Sequence, residues 1–219
     1  MMKQKTLGDL PEWDLKDLYS GRESKKLIAD IDSSSKAAIA FEQQYKGKIK
    51  TLSSSELADA ITEFEGIDEK LSTIISFAGL VHAGNISDPE VGQFYQTTQE
   101  RVNEISASLL FFTLEINRID DTILGKHLET EALAYYGPWL RDVRAMRPHQ
   151  LDNNIEELLH EKAMTGRTAW VRLFDQTIAE MRFPFRGRKL TETEILDLFS
   201  DQYLHNKSSM LINSTELIL

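Results

Sequence analysis

The sequence contains no cysteine. That removes disulfides, thiolate metal sites and a Cys nucleophile together. Glycine and proline are scarce, 11 and 5 residues, which favours long helices over a turn-rich β fold. Positive charge is in deficit: 25 Lys and Arg stand against 35 Asp and Glu, a formal net charge of −10. A nucleic-acid partner is therefore not expected, because its footprint is a basic patch. Long apolar runs are missing too. The longest is Leu109-Leu110-Phe111-Phe112, far too short for a bilayer. No apolar stretch follows the lysines of Met1-Met2-Lys3-Gln4-Lys5, so no leader is expected and a cytoplasmic location is.

What is present reads as helix. Residues 1–20 form an expected extended arm, with Pro11 blocking a helix and Trp13, Leu15, Leu18 and Tyr19 as apolar anchors. A first helix over 22–47 ends at Gly47. Ser53 and Glu56 form a capping box that opens a second helix, to about Ala83, and Leu52 and Leu57 are placed to staple it. Asp88-Pro89 then caps and starts a third. Here Val91, Thr98, Ile105, Phe112 and Ile119 recur every seven residues, as do Tyr95, Val102, Leu109 and Ile116. This seam predicts a neighbour at a shallow left-handed angle and one helix of some 32 residues, a rod of roughly 48 Å. Leu110, Phe111 and Leu114 add a second apolar side, so the helix should lie between others.

Beyond Asp120 the predicted helices shorten: 120–136, one opened by Pro138, one over 154–164, and one after Gly166 whose face carries Trp170, Leu173, Phe174, Thr177, Ile178 and Met181. Residues 182–190 read as a small hairpin turning at Arg186-Gly187, and Thr191/Glu194 as a second capping box. The expected fold is an all-α, elongated antiparallel bundle of seven to eight helices with one β-hairpin near 182–190. Its parts are an arm (1–20), a long-helix bundle (21–124), a shorter-helix subdomain with the hairpin (125–200) and an irregular, truncated tail (201–219).

Catalytic groups are hard to find. A helical zinc site needs two imidazoles one turn apart with a carboxylate beside the first. The five histidines are His82, His127, His149, His160 and His205, and no two lie within five residues. His160-Glu161 is followed one turn on by Met164, whose thioether is no ligand for zinc. No catalytic or metal residue is therefore assigned, and His82, on the second helix's seam, is expected to be a hydrogen-bonded core residue. The pairs Asp120-Asp121, Glu156-Glu157 and Glu192/Glu194 read as helix-start carboxylates. One basic constellation stands out: Trp139, Arg141, Arg144, Arg147 and His149. It could hold a carboxylate of a peptide or partner domain, or pair with acids of its own chain. A second cluster, Arg182, Arg186, Arg188 and Lys189, reads as a solvated hairpin.

Three segments resemble the bacterial oligoendopeptidase F proteins, thimet-like M3 zinc metallopeptidases. They are Pro11-Glu12-Trp13-Asp14-Leu15-Lys16-Asp17-Leu18-Tyr19; Tyr136-Gly137-Pro138-Trp139-Leu140-Arg141 through Arg147-Pro148-His149-Gln150-Leu151; and Leu158-Leu159-His160-Glu161-Lys162 with Thr165-Gly166-Arg167-Thr168-Ala169-Trp170 and Leu173-Phe174-Asp175. Their order and spacing fit over roughly residues 9–200. The resemblance implies a helical clam-shaped peptidase that cleaves short peptides in a deep channel, with the N-terminal part as one wall. It places His-Glu-x-x-His in a later part this sequence does not reach. It thus implies an inactive chain without a cofactor of its own, zinc in the full-length enzyme only, and the catalytic part as partner. Met210, Leu211, Ile212, Leu217, Ile218 and Leu219 would be exposed on a finished monomer, so self-association is a further expectation. The alternative function is a free-standing helical interaction module that uses the heptad seam to bind a partner helix.

Overall fold

The structure is a computed structural model describing residues 13–200, with side chains to 198. Ten α-helices and one hairpin are present among these residues: α1 (Lys25–Tyr45), α2 (Ser54–Gly84), α3 (Pro89–Ala107), α4 (Leu110–Ile116), α5 (Asp121–Leu128), α6 (Glu131–Ala134), α7 (Gly137–Ala145), α8 (Asn153–Ala163), α9 (Arg167–Glu180), β1 (Phe183–Phe185), β2 (Arg188–Leu190) and α10 (Glu192–Ser200). The chain is all-α with one small antiparallel ribbon, as the sequence predicts. The apolar tail residues from Met210 on, and Pro11, lie outside the described residues.

Helices start where side chains can satisfy free backbone N–H groups. Ser53 Oγ accepts from Glu56 N, and the Glu56 carboxylate accepts from Ser53 N at 2.8 Å. These Ser53 bonds hold the exposed Glu56 carboxyl below its ordinary range. Asp88 accepts from the N–H groups of Glu90 and Val91, with Pro89 at the first turn. The Thr191/Glu194 box forms as well. Ser53→Ala removes one such acceptor and is expected to cost about 1 kcal/mol of stability, read as a lower urea midpoint at unchanged m-value.

α1, α2 and α3 pack on one another in a triangle, and short connections make successive neighbours antiparallel. α1 ends at Gly47, whose φ of +81° lets the chain turn away without a Cβ penalty. Glu115 on α4 then clasps this turn, accepting from Gly47 N at 2.7 Å and Ile49 N at 3.4 Å. Within the described residues the chain before α1 packs through Tyr19, 2% exposed, whose ring meets Phe77 edge-on at 5.2 Å. Burial and the bond to Asp30 push its hydroxyl up to about 12. Leu15 and Leu18 pack beside it, whereas Trp13 is exposed.

The predicted 32-residue rod is broken. α3 ends at Ala107 and α4 begins at Leu110, across a turn tightened by i−3 bonds from Ser108 N to Ile105 O, Leu109 N to Ser106 O and Phe112 N to Leu109 O. A 3-10 turn advances about 120° per residue against about 100° in an α-helix. The extra rotation is small enough to keep the seam, because Val91, Thr98, Ile105, Phe112 and Ile119 are all buried. It also lets Phe111 and Leu114 go inside together with Phe112. α4 lies against α7, α8 and the 3-10 segment Ile49–Thr51, enclosed as its two apolar sides predict. The predicted helix over 120–136 is likewise two helices, α5 and α6. The separating turn is closed by Thr130, whose hydroxyl and N–H both donate to His127 O.

The core is aromatic at its centre. Phe112 is fully buried and meets Phe41 at 5.1 Å, Phe64 at 4.9 Å and Trp139 at 6.4 Å between ring centroids. α6 returns to α2, where Tyr136 Oη and Thr62 Oγ1 are 2.8 Å apart. The hairpin pairs Phe183 with Leu190 and turns at Arg186-Gly187, both at positive φ (49° and 76°). Glycine takes this conformation freely; Arg186 takes it with its guanidinium over the Phe185 ring.

Candidate functional site

The basic constellation lies around the α4–α5 corner. Arg144 is the centre of it. Its side chain is only 12% exposed. One guanidinium nitrogen donates to Ile116 O at 3.0 Å and Ile119 O at 2.9 Å, closing the C-terminal end of α4. The other donates to Asp121, the first residue of α5. Arg147 reaches the same carboxylate at 3.1 Å. α4, α5 and α7 are thus tied by one fork of N–H donors, a geometry that guanidinium provides and an ammonium does not. Asp120 caps α5, and the Thr122 hydroxyl and N–H hold its carboxyl below the usual range.

The remaining members divide by position. Trp139 packs inward against Phe64 and Phe112. Arg141 projects outward and pairs with Asp142 at 3.2 Å, both about three-quarters exposed. His149 is exposed in the 3-10 segment Arg147–His149. Beside them lies a shallow cavity of about 590 Å³, lined by Asn117, Arg118, Arg147, Gln150, Asp152 and Ile155 among others. Asn117 Oδ1 and Gln150 Oε1 are buried there without a partner among the described residues. Gln150 Nε2 donates to Leu114 O, and Arg118 to Asn153 Oδ1.

The histidines are dispersed. His127 Nδ1 and Ser54 Oγ are 2.7 Å apart, and His160 Nε2 donates to Asn103 O at 3.0 Å, which occupies the imidazole beside Glu161. His82 is buried as predicted but is not hydrogen-bonded through Nε2; it stacks on Tyr95 at 4.8 Å instead. His205 lies outside the described residues. Among those residues no group of three or more His, Asp or Glu is arranged to hold a metal ion. The donors among the described residues therefore do not fit a zinc site. The carboxylate pairs are occupied structurally: Asp120 caps, Asp121 pairs with arginine, Glu156 accepts from Leu151 N, and Glu194 belongs to a capping box. Arg182 donates to Ala179 O and Met181 O at the end of α9.

A further feature is apolar. α8 and α9 bury none of their residues. Ile155, Leu158 and Leu159 on α8 and Trp170, Val171, Leu173 and Phe174 on α9 are each 44% or more exposed. The amphipathic pattern of α9 is real, but its apolar face has no partner among the described residues. No helix among those residues is long and apolar enough to cross a membrane.

The sequence profile of the family described as Oligopeptidase F matches residues 115–183. No curated protein matches the chain. A crystal structure described as that of a "putative peptidase" from Chlamydophila abortus is similar in fold, with a TM-score of 0.52 and 20% identity. The similarity covers 85% of this chain and 32% of that one, so this chain spans about a third of the length of the solved structure it matches. The matched segment, from Glu115 on α4 to Phe183 on β1, contains the whole basic corner together with α8 and α9. Over residues 115–183, about a third of its length, the chain is thus similar to the N-terminal region of oligopeptidase F.

Proposed function

We propose that this chain forms the N-terminal wall of the substrate channel of an oligopeptidase F-like zinc peptidase, and that it does not hydrolyse peptides by itself. The family match over residues 115–183 carries this reading. Two features support it. The histidines are too dispersed to form a helical zinc pair. The exposed α8–α9 face is apolar enough to be the seat of a further part of the protein, the one bearing His-Glu-x-x-His and the metal. Of the basic constellation, Arg141 and His149 are the exposed members outside the α4–α5 corner, placed to meet a peptide carboxylate or that catalytic part, Arg141 by exchanging its exposed partner Asp142. Trp139 and Arg144 would act by holding the wall's shape. The interaction-module alternative keeps only part of its motive: most of the seam is buried within this chain, and the apolar tail lies outside the described residues.

The test uses the purified chain. Zinc titration followed by calorimetry, and cleavage of short fluorogenic peptides, are expected to give neither stoichiometric zinc nor turnover. Tight 1:1 zinc with metal-dependent turnover overturns the reading.

A further inference from the structure

Between α9 and the α2–α3 pair lies a second cavity, of about 200 Å³. His82, Tyr95 and Gln99 line one side; Arg167, Arg172 and Asp175 line the other. His82 is only 7% exposed, yet its Nε2 has no partner among the described residues. Gln99 Oε1 is buried in the same condition. Arg167, Arg172 and Asp175 take part in no ion pair among those residues. His82 Nε2 and Gln99 Oε1 are the enclosed, unpartnered groups, and polar atoms so placed are normally satisfied; two of them at one cavity, with Arg167, Arg172 and Asp175 at its open side, point to a missing ligand.

We propose that this cleft binds a single free α-amino acid. The two guanidinium groups offer charged forks to its carboxylate. His82, stacked on Tyr95, adds a fixed imidazole N–H beside them. Asp175 and the Gln99 amide oxygen accept from the ammonium group. Val171 and the Tyr95 ring give the amino-acid side chain an apolar wall. Competing ligands fit less of this. An inorganic anion would satisfy the arginines, leave the buried Gln99 oxygen unanswered and sit beside the Asp175 carboxylate. A divalent cation lacks ligands, since no group of three or more is present among the described residues. A nucleotide or other drug-sized molecule takes a pocket of about 300–1,000 Å³. The inference does not depend on the peptidase reading.

The experiment is calorimetric titration of the whole chain with a panel of free L-amino acids, with their N-acetyl and C-amide derivatives, and with inorganic phosphate. At least one free amino acid is expected to bind 1:1, and blocking either end should weaken it about tenfold or more. Arg172→Ala and Asp175→Asn, both on the partly exposed helix α9, should each weaken binding about tenfold, while Lys189→Ala on the exposed hairpin should not. Far-UV circular dichroism confirms that each variant is folded. The proposal is overturned if no amino acid binds, if blocked forms or phosphate bind as well as the free amino acid, or if the folded Arg172 and Asp175 variants bind unchanged.

Discussion

Phe112→Ala is expected to destabilise the chain by about 3–5 kcal/mol, a large share of a typical domain's stability. The side chain is fully buried and stands where α1, α2, α4 and α7 meet, through Phe41, Phe64 and Trp139. Removing it deletes ring contacts to three elements at once. The facing rings are large and fixed, so the void cannot collapse cheaply. Urea unfolding followed by far-UV circular dichroism measures the loss. Phe112→Leu should restore about half, because it refills volume without the aromatic edges. A loss below about 1 kcal/mol for the alanine variant would mean that this centre is not packed as described.

Arg144→Ala is expected to cost about 2 kcal/mol. Most of this should come from Ile116 O and Ile119 O, which lose a charged donor at the end of α4. Little should come from the ion pair, because Asp121 is 78% exposed and such pairs are worth about 0–1 kcal/mol. Three comparisons separate the two sources in the same unfolding assay. Asp121→Asn should cost under about 1 kcal/mol. The Arg144→Ala loss should persist in high salt, which screens exposed pairs but not carbonyl bonds. Arg144→Lys should not rescue, since an ammonium lacks the planar fork that spans both carbonyls. A loss abolished by salt would make Arg144 a surface ion-pair residue only.

These two residues mark the boundary of what the sequence discloses. Phe112 was legible: its heptad position places it on a seam, and periodicity alone assigns it to the core. So were the caps at Ser53, Asp88 and Thr191, because a cap is a contact between residues three apart. The turn at Ser108-Leu109 was not legible. No glycine or proline marks it, and the heptad runs straight through, since a 3-10 turn preserves the seam while shortening the helix. Arg144 was singled out for its charge but not for its task. Two of its partners are backbone carbonyls 25 and 28 residues away, and carbonyls leave no trace in a sequence. The cavity between α9 and α2–α3 was invisible for a related reason. Its residues come from positions 82 to 175, and no local spacing joins them. The periodicity of α9 disclosed an apolar face correctly, but a pattern does not say what that face meets.

The way α6 and α7 come back to α2 bears on how the chain folds. α1 packs on α2 and α2 on α3 as sequence neighbours, so most of their assembly closes short loops and should be fast. The return is tied by Tyr136 to Thr62 and by His127 to Ser54, links spanning 74 and 73 residues. Contacts of that separation form late, after the three-helix unit exists to receive them. They therefore govern how long the molecule stays folded more than how quickly it gets there: weakening them should speed unfolding and leave the refolding rate almost untouched.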